Sequence, residues 1–387
     1  MLSGTFSLLL NKMLMKRQHF GRKGANPIVM QDKVSFFLGS NTPDGFYSLF
    51  SDLYDPTDGW RCYILKGGPG TGKSTFMKRV AESASHCGQE AEVIHCASDP
   101  ASLDAVILRG LKVCVADGTA PHVIEPILPG VSEQLVDLGE YWSAKRIRTQ
   151  SERIIALNRE YKSCHLRAVK FMKGAAVLYH DTARLIEEFT DAGKIESAAQ
   201  RLSKRELPVL KNRTGTLTRR FLSAPTPEGM VFHTDTVRKL CKNVIGIEGF
   251  PSVSGKLLGQ IADIALKRGH DVTVCPSFID PSGDPAHVLI PTASTAFLTV
   301  DKDIPSGIVP DRLTHTARFT DGGGIASQRT RIRFNRRLYG ELMQQAFACL
   351  TQARDKHGEL EKLYMPAMDF KKCEKRCDAV IMEILGK

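Results

Sequence analysis

Lys73 and Ser74 close the stretch Gly67-Gly68-Pro69-Gly70-Thr71-Gly72-Lys73-Ser74, which fits G-x-x-x-x-G-K-[ST], the phosphate-binding P-loop pattern. That spacing supports binding of a nucleoside triphosphate, ATP with Mg2+. The glycines let successive amides turn inward onto phosphate oxygens, where a Cβ would stand in the way. Lys73 supplies a mobile charge for the β- and γ-phosphates, the Ser74 hydroxyl is a magnesium ligand, and Thr75 follows on the next helical residue. Magnesium needs a second acid, and the apolar run Leu111-Lys112-Val113-Cys114-Val115-Ala116-Asp117 ends on one. Asp117 equally suits a turn before Gly118. Asp99 is a rival metal ligand after the apolar run 92–97, and it also suits the N-cap of a helix over 101–106. Many hydrolases of this kind place Glu directly after the metal-binding Asp to orient water. Here Gly118-Thr119-Ala120-Pro121-His122 follows, so His122 and Glu125 are the polar candidates to join Lys73 and Asp117 in catalysis. A loop histidine is more often exposed or capping than catalytic.

These residues need a scaffold that presents them at one edge. Cys62-Tyr63-Ile64-Leu65-Lys66 reads as a buried strand before the loop, and the stretch from Thr75 to about His86 reads as a helix after it. Further apolar runs at 92–96 and 111–116 alternate with helical segments, which predicts a doubly wound α/β sheet binding ligand at the carboxyl ends of its strands. From 131 to 207, apolar positions such as Ile154, Leu157, Tyr161, Val169 and Met172 recur at helical spacing, and Leu338, Leu342, Leu350, Leu360 and Ile384 do so near 338–384. Helical hairpins projecting from each domain and helices covering each sheet are both compatible with that pattern.

The chain also contains itself twice. Phe37-Leu38-Gly39-Ser40-Asn41-Thr42-Pro43-Asp44-Gly45-Phe46 resembles the stretch from Phe221 to Met230, an offset of 221 − 37 = 184 residues. Gly67-Gly68-Pro69 then falls near Gly249-Phe250-Pro251, Gly72-Lys73 near Gly255-Lys256, and Arg146-Ile147-Arg148 near Arg331-Ile332-Arg333. The expected organisation is a poorly ordered extension over 1–30, an active domain with a helical tail over 31–219, and a degenerate domain with a helical tail over 220–387. In the second copy Leu257 replaces the magnesium-binding hydroxyl and Thr299 replaces Asp117, so nucleotide chemistry is expected in the first copy alone. Lys256 remains to bind an anion or to reach across to the first site.

Composition narrows the setting. Of 387 residues 42% are hydrophobic and 25% charged, ordinary values for a folded chain, and no apolar run approaches the ~20 residues of a membrane span. Residues 1–30 do not read as a signal peptide, with a mitochondrial presequence as the rival reading. Ten cysteines without C-x-x-C spacing fit free thiols in a reducing, cytoplasmic compartment, and Cys373 with Cys377 fits scattered helix thiols better than a metal pair. The net charge of +11 suits a polyphosphate ligand or nucleic acid, with Arg201, Arg205, Arg213 and Arg220 in one basic stretch and Arg329 to Arg337 in another. Aromatic residues for base stacking are sparse in both.

Gly39-x-Asn41-Thr42-x-x-Gly45-Phe46, the P-loop, Ser98-Asp99-Pro100-x-Ser102-Leu103-Asp104 and Asp117-Gly118-Thr119-Ala120-Pro121-His122 together resemble a bacterial family of tandem P-loop proteins described as ATPase-like or nucleotide-kinase-like. The resemblance runs from about residue 31 onward. It implies two tandem P-loop NTPase-like domains, ATP binding at the first, and a bacterial cytoplasmic setting; it supplies no substrate. Three readings follow: an ATPase or ATP-controlled switch, a small-molecule or nucleotide kinase, and an ATP-dependent nucleic-acid-binding protein. A kinase needs an acceptor pocket and lid arginines, for which Arg146, Arg148, Arg331 and Arg333 are candidates.

Overall fold

The computed structural model describes residues 33–300 and 307–386, so the extension expected over 1–30 lies outside the described residues. In the first half come β1 (Val34–Phe36), a hairpin of β2 (Gly39–Thr42) and β3 (Gly45–Ser48), β4 (Arg61–Lys66), helix α1 (Lys73–His86), β5 (Glu92–Cys96), β6 (Asp99–Leu108), β7 (Val113–Asp117) and β8 (Glu133–Asp137). Helices α2 (Ala144–Arg148), α3 (Ser151–Glu187) and α4 (Ala192–Glu206) follow. The second half repeats the series as β9 (Leu217–Arg219), β10 (Ser223–Thr226), β11 (Gly229–Phe232), helix α5 (Thr234–Leu240), β12 (Asn243–Glu248), α6 (Pro251–Lys267), β13 (Val272–Pro276), β14 (Pro285–Ile290), β15 (Thr295–Val300) and β16 (Arg312–His315). It ends with α7 (Gly322–Ser327), α8 (Arg329–Tyr364) and α9 (Phe370–Ile384).

The two six-stranded sheets share one topology, β1-β5-β6-β7-β4-β8 in the first and β9-β13-β14-β15-β12-β16 in the second. Both are mixed rather than wholly parallel. β6 runs antiparallel to β5 and β7, and it occupies the stretch where the sequence suggested a helix capped by Asp99. The run Ala105-Val106-Ile107-Leu108 is buried on both faces, and that demand outweighs the local capping signal. The α/β class therefore holds, but the winding differs from the expected double layer. Tyr63 and Leu65 face helices α1 and α9, whereas Cys62 and Ile64 join a central core with Val244, Leu289 and Leu298 of the other sheet. Each sheet is thus covered by its main helices on one face and by the other half on the opposite one.

A pseudo-two-fold axis relates the halves. Long helices α3 and α8 lie antiparallel, tied by Arg153–Glu359 at one end and Arg331–Asp181 at the other. These are equivalent pairs, since 331 − 153 = 359 − 181 = 178. Arg331 therefore matches Arg153, and the sequence pairing of Arg331 with Arg146 is displaced by one helix. The terminal helices are exchanged: Cys373, Cys377, Val380 and Ile381 of α9 pack on the first sheet with Phe76 and Met77, while Ile195, Ala199 and Leu202 of α4 pack on the second sheet with Leu257 and Ile261. All ten cysteines are unpaired. Among the described residues no helix is long and apolar enough to cross a membrane.

Candidate functional site

Three strand ends of the first sheet meet at one edge. β4 runs into the glycine-rich loop, β7 lies beside it in parallel with Asp117 opposite Leu65, and β5 turns back into β6. The loop is built on backbone conformations that need glycine, with φ of +155° at Gly67, +68° at Gly70 and +94° at Gly72. Gly72 caps α1 without a side-chain hydrogen bond, so the first amides of a fourteen-residue helix open onto the loop. Thr71 is buried and its hydroxyl donates to the Gly68 carbonyl at 2.9 Å, bracing the turn from inside.

Lys73 folds back over this loop. Its ammonium donates to the carbonyls of Gly67 at 2.7 Å and Gly68 at 3.0 Å, and lies 3.6 Å from Asp117 Oδ2. Asp117 divides its carboxylate between two tasks. Oδ1 accepts from the Thr119 amide at 2.8 Å and hydroxyl at 2.5 Å, the turn role that its position before Gly118 suggested. Oδ2 is left facing Lys73. The Ser74 hydroxyl oxygen accepts from the Leu103 amide at 3.0 Å, which fixes the side chain against β6. Asp99 accepts from the Ser102 hydroxyl at 2.7 Å at the start of a strand, not at a helix cap.

The other polar candidates are placed differently. Glu125 is an exposed partner of Lys66 at 3.0 Å, and Lys66 also donates to the carbonyls of Gly118 and Ile124, so this pair pins the loop after β7. His122 is only 5% exposed, with Nε2 3.1 Å from Asp104 Oδ2 and its ring against Phe46 and Phe50. Burial works against protonation of His122, but the charge of Asp104 outweighs it and raises the imidazole pKa. Of the arginines considered for a lid, Arg146 reaches the Pro366 carbonyl at 3.1 Å beside the loop, whereas Arg331 binds Asp181 at the far end of the helix pair. Lys256 is bound to Glu187.

Compared with known proteins, the chain matches no family model, no curated sequence and no solved structure. Its own two halves are the informative comparison. In the second half, helix α6 begins at Pro251, so the segment equivalent to the glycine-rich loop is wound into helix and Leu257 is fully buried. The cradle is therefore missing as well as the hydroxyl and carboxylate.

The second half still contributes to the first site, from a direction the sequence did not mark. A Cβ on Gly68 would stand 3.2 Å from Trp142 and 3.3 Å from Tyr364, and one on Gly70 would stand 2.9 Å from Met365 and 3.1 Å from the Glu361 carbonyl. The end of α8 thus closes over the loop. One turn earlier, His357 feels Glu361, Lys73, Asp99 and Asp117, and burial holds its pKa below the usual histidine value. Facing it on α3, burial and His357 together push His165 down to about 4, and burial raises Tyr161 to about 12. This roof was missed because its residues lie on two helices that no short motif connects.

A second feature lies apart from the loop. Arg201 and Arg205 on α4, Arg312 on edge strand β16, and Arg318 line a cavity of about 370 Å³. Glu206 pairs with Arg205 and Arg312.

Proposed function

We propose that the chain binds a nucleoside triphosphate with magnesium at residues 67–75 and Asp117, and that it acts as an ATPase or ATP-controlled switch. The observation that carries this reading is the placement of Lys73, which spans the loop carbonyls and Asp117 Oδ2 at the open N-terminus of α1. The positive-φ glycines add no side chain of their own to the cradle, and Lys73 is held by weak carbonyl partners that phosphate oxygens would replace. Ser74 and Asp117 fit magnesium as hard oxygen ligands. When bound, the ion would neutralise charge on the phosphates. Trp142 and Tyr364 exclude water from one side of the loop.

The switch part of the reading rests on the roof. Glu361 and Tyr364 belong to α8, with Met365 next after it, and α8 runs back to Arg331, the partner of Asp181 on α3, so strain at the loop bears directly on the pairing of α3 with α8. The test is nucleotide binding and turnover by the wild type, Lys73→Ala and Asp117→Ala. Binding unchanged by Lys73→Ala sinks the proposal. Turnover that requires an added acceptor replaces the ATPase with a kinase.

The arginine-lined cavity favours a second reading, in which a nucleic acid is the partner. Arg201 and Arg205 lie one helical turn apart, and Arg312 and Arg318 face them. Affinity for single-stranded RNA should fall steeply with salt in the wild type and much less in Arg201→Ala with Arg318→Ala. A flat salt response in the wild type removes this reading.

A further inference from the structure

Behind the glycine-rich loop, β5 ends on Cys96, β6 carries Asp104 inward, and the segment after β7 brings in His122. One ligand atom from each, a thiol sulfur, a carboxylate oxygen and an imidazole nitrogen, all lie within 4.8 Å of one another. Asp104 and His122 are 4% and 5% exposed. His122 Nε2 is 3.1 Å from Asp104 Oδ2, yet that oxygen accepts no hydrogen bond and His122 Nδ1 has no partner either. No lysine or arginine among the described residues pairs with Asp104. The His122 contact is the one ion pair Asp104 makes among the described residues, and a cation shared with the Cys96 thiol would satisfy the buried carboxylate more fully.

We infer that Cys96, Asp104 and His122 form a binding site for a zinc-class divalent cation, separate from the magnesium of the proposed nucleotide site. Sulfur, nitrogen and oxygen in one set select a borderline-soft ion, and magnesium takes no thiolate. On ligation the Cys96 thiol releases its proton to solvent, Asp104 binds as carboxylate and His122 as neutral imidazole. The two negative charges then balance the ion. Three protein ligands leave a fourth position for water or for a group on a bound substrate. The rings of Phe46 and Phe50, centred 4.9 and 4.7 Å from the His122 ring, hold the imidazole in one orientation and keep the pocket dry.

The position gives the ion a task. His122 follows Asp117 by five residues in the same loop, so tying His122 to β5 and β6 fixes the segment that presents Asp117 to Lys73. The site is an anchor for the loop after β7, made from β5 and β6.

The experiment uses the full chain, purified without chelator. Metal content is measured by mass spectrometry, and the electronic spectrum is recorded after cobalt(II) replaces the native ion. One zinc per chain is expected, with a thiolate-to-cobalt charge-transfer band that Cys96→Ser abolishes. His122→Ala should weaken zinc at least about 100-fold, more than loss of an outer-shell partner does. Lys73→Ala should keep both zinc and the band, which separates this site from the nucleotide site. Zinc absent from the wild type at micromolar supply, or a cobalt spectrum without the thiolate band, overturns the inference. If His122→Ala does not fold, Cys96→Ser decides alone, since it exchanges a single sulfur for oxygen.

Discussion

The Phe37 amide donates to the Phe221 carbonyl, and the Phe221 amide donates back to the Phe37 carbonyl, each at 2.9 Å. The two phenylalanines are the same position in the two copies, so they meet at the pseudo-two-fold axis and join the halves by backbone. Neighbouring contacts obey the same reciprocity: Trp142 bridges Met368 and Thr190 bridges Thr320, with 320 − 142 = 368 − 190 = 178. A duplicated chain has kept the geometry of a symmetric dimer while its two loops have diverged.

Divergence of the loops separates two lysines that look alike in sequence. Lys73→Ala should weaken nucleotide binding by about 10- to 100-fold, the loss of one charge-assisted contact. Lys256→Ala should leave it within about twofold, because Lys256 is bound to Glu187 and its loop is helical. Titration calorimetry with a non-hydrolysable triphosphate checks both, and equal effects would remove the distinction between the copies.

Gly70 tests the roof. Gly70→Ala should cost about 1–2 kcal/mol at φ +68° and weaken nucleotide binding by roughly tenfold. Adding Met365→Ala should recover little, because the Glu361 carbonyl still lies 3.1 Å from the new Cβ and the backbone strain persists. Full recovery in the double variant would show that the methionine alone sets the contact.

Exchange of the terminal helices predicts damage at a distance in sequence. Ile381→Ala should destabilise the fold by about 2–4 kcal/mol, and its main effect should fall on the first sheet. Hydrogen exchange should quicken in α1 and β4 more than in the second sheet. The reverse pattern would contradict the packing of α9.

A buried charge pair across the halves sets a pH dependence. Arg220, 2% exposed, donates to Glu92 Oε1 at 2.7 Å, and Arg109 donates to Oε2. Burial by itself raises the Glu92 pKa, and the two guanidinium groups outweigh it and hold the carboxyl below its usual range. A depressed carboxylate pKa adds stability that is present above the unfolded value of about 4.3 and is lost as pH falls through the folded value. Glu92→Gln should therefore cost about 3 kcal/mol at neutral pH, with the gap to wild type narrowing below about pH 4. Urea unfolding across that range measures it, and a gap that widens in acid would refute the assignment.

Much of the site could be read from residues alone, because loop chemistry is local. The glycines, Lys73, the strands at 61–66, 92–96 and 113–117, and the two-copy plan all carry short-range signals. The strand Asp99–Leu108 replaces the helix expected over 101–106 because Asp99 suggests a cap, while the burial that favours a strand comes from β5 and β7 on either side. His122 was legible as a polar loop residue, but Asp104 became its neighbour only through antiparallel pairing in the sheet. The exchange of α4 and α9 was invisible for a related reason. An apolar face states that a helix is buried and is silent on which sheet buries it.

The same exchange orders events during synthesis. Helix α9 leaves the ribosome after every strand of both sheets, yet it completes the core around Tyr63, Phe76 and Met77. Until then that apolar face of the nascent first half is covered by α1 alone, and the end of α8 is not yet in place over Gly68 and Gly70. Domains that fold as they emerge do so from the N-terminus, and this chain departs from that habit. Its glycine-rich loop is finished by residues that follow both sheets along the chain.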